Sequence, residues 1–294
     1  MFAAKFEYYK VNSVAEALQT LRAHNGAKLM AGGHSLIPLL KLRLARPAAL
    51  VDISGILDLQ GISVDDTTVH IGPLTTHQTI AASEAVARVC PLMAEVAGEI
   101  GDPQVRNRGT IGGNVSHADP ASDWPTALTA LNAQFVIQGT GALHRRVTRT
   151  VAAADFFTGA LSTSLGEHEI LTEIQVPVMN TAQHSAYAKM AHPATFFSVV
   201  SAAVVISMSG NRCTQASVVL GGLAPKPVRA ASVEEALIGQ DLTADNIAAA
   251  AAQVSNDLAG EVMGDIYASA EYRRAVAPVE VKHAIYHAAG LAHS

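Results

Sequence analysis

Two segments carry the residues best suited to chemistry, Ala31-Gly32-Gly33-His34-Ser35-Leu36 and Thr110-Ile111-Gly112-Gly113-Asn114. Each sets a diglycine beside a hydroxyl-bearing residue. Paired glycines let the chain turn through positive φ and let a ligand approach bare N–H groups. Successive N–H groups in such a turn form a concave nest that suits phosphate oxygens. One loop of this kind reads as a plain turn. Two in the same third of a chain point to a clamp on one pyrophosphate, and so to a dinucleotide.

Competing chemistries lack their full residue sets. Asp52 follows Gly32 by 20 residues at the end of an apolar strand, the spacing of a ribose-binding acid, but no G-x-G-x-x-G accompanies it. No lysine–hydroxyl pair follows either diglycine, which excludes a Walker loop. His117, Asp119 and Asp123 lie close in sequence, yet a hard cation wants more oxygen ligands and zinc more nitrogen or sulfur. Asp123 suits equally an acceptor for a sugar hydroxyl and a cap for the helix that follows. Arg106 and Arg108 could neutralise a diphosphate or stay solvated. His283 and His287 are spaced i, i+4 but lack a third ligand, and His70, His77 and His184 stand alone. No metal site is expected. With no G-x-S-x-G and no cysteine beside an obvious base, no catalytic residue is assigned. The chain is better equipped to hold a cofactor than to perform acid–base chemistry of its own.

Composition narrows the classes further. Of 294 residues, 49% are hydrophobic and 15% charged, so a well-buried or partner-covered protein is expected. A net charge of −5 and few aromatic residues (5%) argue against nucleic acid as a partner. Two cysteines, Cys90 and Cys213, cannot supply the four thiolates of an iron–sulfur cluster. The N-terminus has no signal-peptide pattern. The longest apolar run, Val199 to Met208, is broken by Ser201 and Ser207 and is too short to span a bilayer. The cytoplasm is the expected compartment, with no transmembrane segment.

Three units must position these residues. In the first, residues 1–56, Ser13-Val14-Ala15-Glu16 is a capping box that opens a helix ended by Asn25-Gly26. A strand over 28–31 then runs into the first diglycine. A short helix over 36–44 and a strand over 49–53 complete a βαβ-like module with the loop at a strand exit. The second unit, 57–178, holds strands at 69–73 and 135–138. A long helix over 83–100 is interrupted near Cys90-Pro91, and a further helix runs over 121–132. A strand over 169–177 closes the unit. In the third, 179–294, strands at 186–190, 198–208 and 215–223 precede helices at 232–237, 244–258 and 270–289, the last with a break or kink at Pro278. The expected class is α+β.

The first loop, with Lys41-Leu42-Arg43 and Leu50-Val51-Asp52-Ile53, resembles the first flavin loop of the FAD-binding medium subunits of molybdenum hydroxylases, the xanthine dehydrogenase family. Flavoproteins of aerobic carbon monoxide dehydrogenases are among its members. The run from Asp102 to Asn114 resembles the family's second loop, and Ala268-Ser269-Ala270-Glu271-Tyr272-Arg273-Arg274 fits its C-terminal motif. The resemblance covers nearly the whole chain. It implies a two-part FAD-binding region of the vanillyl-alcohol oxidase type, then a domain of a three-stranded antiparallel sheet and a helical bundle.

By that resemblance both loops hold the FAD pyrophosphate, Asp123 contacts the adenosine, and the strand from Tyr187 to Lys189 lies near the isoalloxazine ring. It also implies partners: a large molybdenum-cofactor subunit and a small subunit with [2Fe-2S] clusters, as a dimer of heterotrimers. The chain would take electrons from those clusters and pass them through FAD to an external acceptor. Two alternatives are a self-contained flavin oxidase and a nucleotide-binding interaction module without a redox role.

Overall fold

The computed structural model describes residues 2–141 and 145–291. Its first sheet joins β1 (Glu7–Lys10), β2 (Lys28–Met30) and β3 (Ala49–Asp52), all parallel in the order β1-β3-β2. Between β1 and β2 runs α1 (Val14–Ala23), capped by the Ser13 hydroxyl accepting from the Glu16 N–H at 3.2 Å. It buries Ala17, Leu18 and Leu21, the periodic apolar face that the sequence displays. α2 (Leu36–Lys41) joins β2 to β3 and buries only Leu40. The strand β1 carries no apolar alternation and is placed by edge pairing with β3, so local pattern did not mark it.

The second sheet is antiparallel, ordered β4-β5-β10-β6-β7. Its strands are β4 (Ile62–Val64), β5 (Thr68–Ile71), β6 (Gln134–Thr140), β7 (Arg146–Ala152) and β10 (Ile170–Pro177). β8 (Phe157–Gly159) and β9 (Ser162–Thr163) form a small separate hairpin. The strand expected to close the unit, β10, lies in the middle of the sheet between β5 and β6, because pairing order does not follow chain order. The helices of this unit are α3 (His77–Ala81), α4 (Glu84–Val89), α5 (Pro91–Glu99), α6 (Pro103–Arg106), α7 (Ile111–His117), α8 (Asp123–Ala130) and α9 (Ala153–Phe156). α4 and α5 meet at Cys90, whose φ of −154° breaks the helix, and Pro91 opens the next.

The third sheet corrects the expectation of three strands. β11 (Gln183–Ala191), β12 (Ser198–Ser209) and β13 (Arg212–Gly221) are joined by β14 (Val228–Arg229), which pairs with Val219 and Leu220. Two residues are too few to carry a periodic signal. After α10 (Ala231–Leu237), the expected helix over 244–258 splits into α11 (Ala244–Ala252) and α12 (Val254–Asp257). α13 (Ala270–Ala288) runs unbroken with Pro278 inside it. It packs along β11 and β12, and that contact holds the helix through the missing hydrogen bond.

Both faces of this third sheet are covered, which explains the near-continuous apolar run in β12. Tyr187, Ala203, Val205 and Val219 join the core of the second unit around Trp124, Phe135 and Phe156. Their alternating neighbours Ala186, Ala188, Val204, Ile206 and Leu220 pack with α10, α11 and α13. The smaller N-terminal core takes in Leu59, Leu74 and Ile170, so it reaches past residue 56.

Candidate cofactor site

β2 delivers the first loop at the carboxyl edge of the parallel sheet, the edge where open α/β sheets bind ligands. Gly33 sits at φ +76°, a conformation that requires glycine here. The N–H groups of Gly32, Gly33, His34 and Ser35 donate to no other described group. Four successive free donors make the anion-binding nest that the sequence pointed to.

The second loop is built differently. Thr110 caps α7, its hydroxyl accepting from the Gly113 N–H at 3.1 Å. The Ile111 N–H goes to the Thr75 carbonyl at 3.0 Å, Gly112 to Pro73 at 2.8 Å, and Asn114 to Thr110 at 3.0 Å. The expectation of bare N–H groups therefore fails here. The diglycine lies inside the first turn of a helix, where those donors are already used. Gly112 serves close packing, since a Cβ there would lie 2.6 Å from the Pro73 carbonyl oxygen; one on Gly113 would meet the Thr110 cap hydroxyl at 2.8 Å and sit in ordinary contact with Ala31 at 3.6 Å.

Tertiary structure brings the two loops together. A Cβ on Gly32 would fall 2.9 Å from the Arg108 carbonyl carbon and 3.2 Å from the Gly109 Cα, so the two backbones are in direct contact. The arginines then part ways. Arg106 is turned to the carbonyls of Ile100 and Gly101, each at 3.1 Å, and is spent on its own loop. Arg108 is exposed beside Gly32, its side chain without a partner among the described residues.

His77 went unsupported in the sequence because its neighbours in space are distant in the chain. It is buried, and its Nδ1 accepts from the Trp124 Nε1–H at 3.0 Å, which leaves the ring proton on Nε2. A Cβ on Gly109 would touch that Nε2 at 2.8 Å. Burial lowers its pKa to about 4, with His34 and Arg106 adding repulsion. His77 is therefore a neutral strut between the second loop and the Trp124 core.

Asp123, Tyr187 and Lys189 form one buried cluster. The Tyr187 hydroxyl donates to Asp123 Oδ1 at 2.7 Å, and Lys189 Nζ lies 3.3 Å from both Asp123 oxygens. Lys189 also donates to the carbonyls of Glu99 at 2.8 Å and Phe196 at 3.1 Å. Burial pushes the Asp123 carboxyl up, against the pull of Lys189, and pushes the Tyr187 phenol well above its ordinary value. The resemblance separates these residues into an adenosine contact and a ring contact. The structure brings them to one place, with Asp123 engaged by the protein itself. Its neighbour Ser122 donates to Asn114 Oδ1 at 2.8 Å, tying the cluster to the second loop.

The remaining sequence candidates have structural duties. Asp52 accepts from Ser54 N–H at 2.9 Å and from the Tyr8 hydroxyl. Asp119 accepts from Ala121 N–H at 2.9 Å. Among the described residues no three His, Cys, Asp or Glu side chains converge as a metal site. In the C-terminal motif, Arg273 is buried and donates to the carbonyls of Val199 and Gly222, holding the start of β12. No described helix is long and apolar enough to cross a membrane.

The family model for the FAD-binding domain in molybdopterin dehydrogenase matches residues 4–179. That for the CO dehydrogenase flavoprotein C-terminal domain matches residues 185–288. The chain is 38% identical to the carbon monoxide dehydrogenase medium chain of Hydrogenophaga pseudoflava over 97% of both chains. It is 37% identical to the glyceraldehyde dehydrogenase medium chain of Sulfolobus acidocaldarius, over 95% of this chain and 96% of that one. A solved structure of the H. pseudoflava carbon monoxide dehydrogenase superposes with a TM-score of 0.92, covering 98% of each chain at 39% identity. The unpaired N–H groups of the first loop and its backbone contact with the second fit a diphosphate, the part of FAD that such loops can grip. The chain belongs to the family of FAD-binding medium subunits of molybdenum hydroxylases.

Proposed function

We propose that this chain receives electrons from iron–sulfur clusters on a partner subunit and passes them through FAD to an external acceptor. The observation that carries the reading is the contact of the two loops, with the free N–H groups of Gly32 to Ser35 and the unengaged Arg108 beside it. Those N–H groups hold the diphosphate, and Arg108 neutralises it. Ala31 and Leu36 frame the first loop, and Thr110, Ile111, Gly112, Gly113 and Asn114 form the facing wall. Asp123, Tyr187 and Lys189 support the site from behind by fixing β11 against α8. FAD, when bound, supplies two-electron redox chemistry; the protein supplies its binding, orientation and shielding.

In this reading the chain sits in a heterotrimer with a large molybdenum-cofactor subunit and a small [2Fe-2S] subunit, paired as a dimer of heterotrimers in the cytoplasm. Its units divide near residues 56 and 178, and its FAD region is of the vanillyl-alcohol oxidase type. The two free, buried cysteines, Cys90 and Cys213, suit a reducing compartment. Relatives of nearly equal identity are named for carbon monoxide and for glyceraldehyde, so the substrate is set on the molybdenum subunit rather than here.

The test is purification of the tagged chain from its own host. Flavin, iron and molybdenum eluting together are the expected result. A colourless chain, or an isolated chain that oxidises an organic substrate with oxygen, would refute the reading.

A further inference from the structure

An exposed apolar face adjoins the first glycine loop. Leu42 and Leu44, just past α2, are 57% and 74% exposed, and Phe2 is 89% exposed. Arg43 donates to the Phe2 carbonyl at 3.3 Å, which brings the N-terminal segment against the turn after α2. Ile37, half-exposed on α2, links this turn to the loop, because a Cβ on Gly33 would meet it at 2.7 Å. Large apolar side chains left in water at this density mark an interaction site.

Its charge is of one sign. Residues 1–48 contain seven lysines and arginines against Glu7 and Glu16, a net of +5, while the rest of the chain carries −10. Lys41, Arg43 and Arg46 are exposed around the apolar residues. Glu7 lies apart, engaged with the Tyr9 hydroxyl and near His24. An apolar centre with a cationic rim selects an acidic protein surface.

The occupant follows from what the chain lacks. On the reading given under Proposed function, its electrons come from a partner chain that carries the iron–sulfur clusters, since its own two cysteines are buried and apart. That chain must come within electron-transfer reach of the flavin, and the apolar, basic face lies on the same unit as the first cofactor loop.

We propose that the face formed by Phe2, Leu42 and Leu44, ringed by Lys41, Arg43 and Arg46, docks an acidic surface of the subunit that carries the iron–sulfur clusters. The inference rests on the reading given under Proposed function and adds to it the place of contact.

The test compares the tagged wild-type chain, R46E and L44D, each purified from the native host as the complex. Iron and flavin per chain are measured, and the wild-type complex is washed with rising salt. Wild type retains iron at low salt and sheds it as salt rises. Either variant loses roughly tenfold or more of its iron per flavin, the scale of a few displaced charge or apolar contacts at about 1.4 kcal/mol per decade. Flavin per chain stays at the wild-type value, since Leu44 and Arg46 lie outside both glycine loops and outside the segments that carry the flavin-loop resemblance. Wild-type iron per flavin in both variants, or retention indifferent to salt, overturns the proposal. So does a change confined to the chain's own oligomeric state with iron retained, which would make the face a contact between copies. A wild-type complex without iron refutes the parent reading instead, and is recognised before any variant is made.

Discussion

Replacing Gly32 with alanine isolates the contact on which the cofactor site depends. The added Cβ would lie 2.9 Å from the Arg108 carbonyl carbon and 3.2 Å from the Gly109 Cα, with the Arg108 oxygen closer still. The oxygen sets the demand: C···O contacts rest at about 3.3–3.6 Å, so the loops must part by more than about 1 Å. All three atoms are backbone, and none can rotate away. Overpacking of this kind costs about 1–3 kcal/mol. If the loops relax apart and FAD binding must draw them together again, that cost appears as about five- to hundredfold weaker affinity. The assay is titration of deflavinated protein with FAD, followed by flavin fluorescence, with thermal unfolding in parallel.

Gly113→Ala is the internal comparison. Its Cβ would meet the Thr110 hydroxyl at 2.8 Å, a side chain that can turn, and alanine gains up to about 1 kcal/mol of helix propensity inside α7. The smaller loss is therefore expected at Gly113. Unchanged FAD affinity in Gly32→Ala, or a larger loss in Gly113→Ala, would show that the loops do not meet as described.

Two further perturbations probe the supports. His77 has a folded-state pKa of about 4, below its ordinary 6.5, so the unfolded chain binds the proton first as pH falls. Stability is intact above pH 6.5 and declines as pH drops through 4, by up to about 3 kcal/mol. His77→Asn keeps an acceptor for Trp124 and should flatten that acid slope in urea unfolding; an unchanged slope would exclude His77 as its source. Lys189→Met leaves Asp123 buried without its cation and should cost about 3–5 kcal/mol. Adding Asp123→Asn should recover most of that loss, whereas additive costs would mean that the two side chains do not act as a pair.

The candidate site was partly legible in the chain because its parts are local. Gly33 must turn through positive φ, Thr110 must cap a helix, and both constraints are written in adjacent residues. His77 was invisible because Trp124, His34 and Gly109 become its neighbours only after folding. The same applies to Asp123, whose position at a helix start suggested a cap or a sugar ligand until Tyr187 and Lys189 closed on it. Strands followed this pattern. β12 announced itself with a long apolar run, while β1 and β14 are held by their partners and carry no periodic signal of their own.

By itself the sequence determined the identity of the loops, the α+β alternation and the absence of cluster-forming thiols. These depend on residue type and short-range spacing, which backbone sterics and hydrogen bonding read directly. Only the tertiary structure decided that the first diglycine offers free N–H groups while the second spends its own inside a helix. It also decided that Gly32 meets Arg108, that β10 lies mid-sheet, and that the basic apolar surface after α2 borders the cofactor loop. Such facts arise from packing between segments far apart in the chain, where contact is set by the whole core rather than by any one stretch of it.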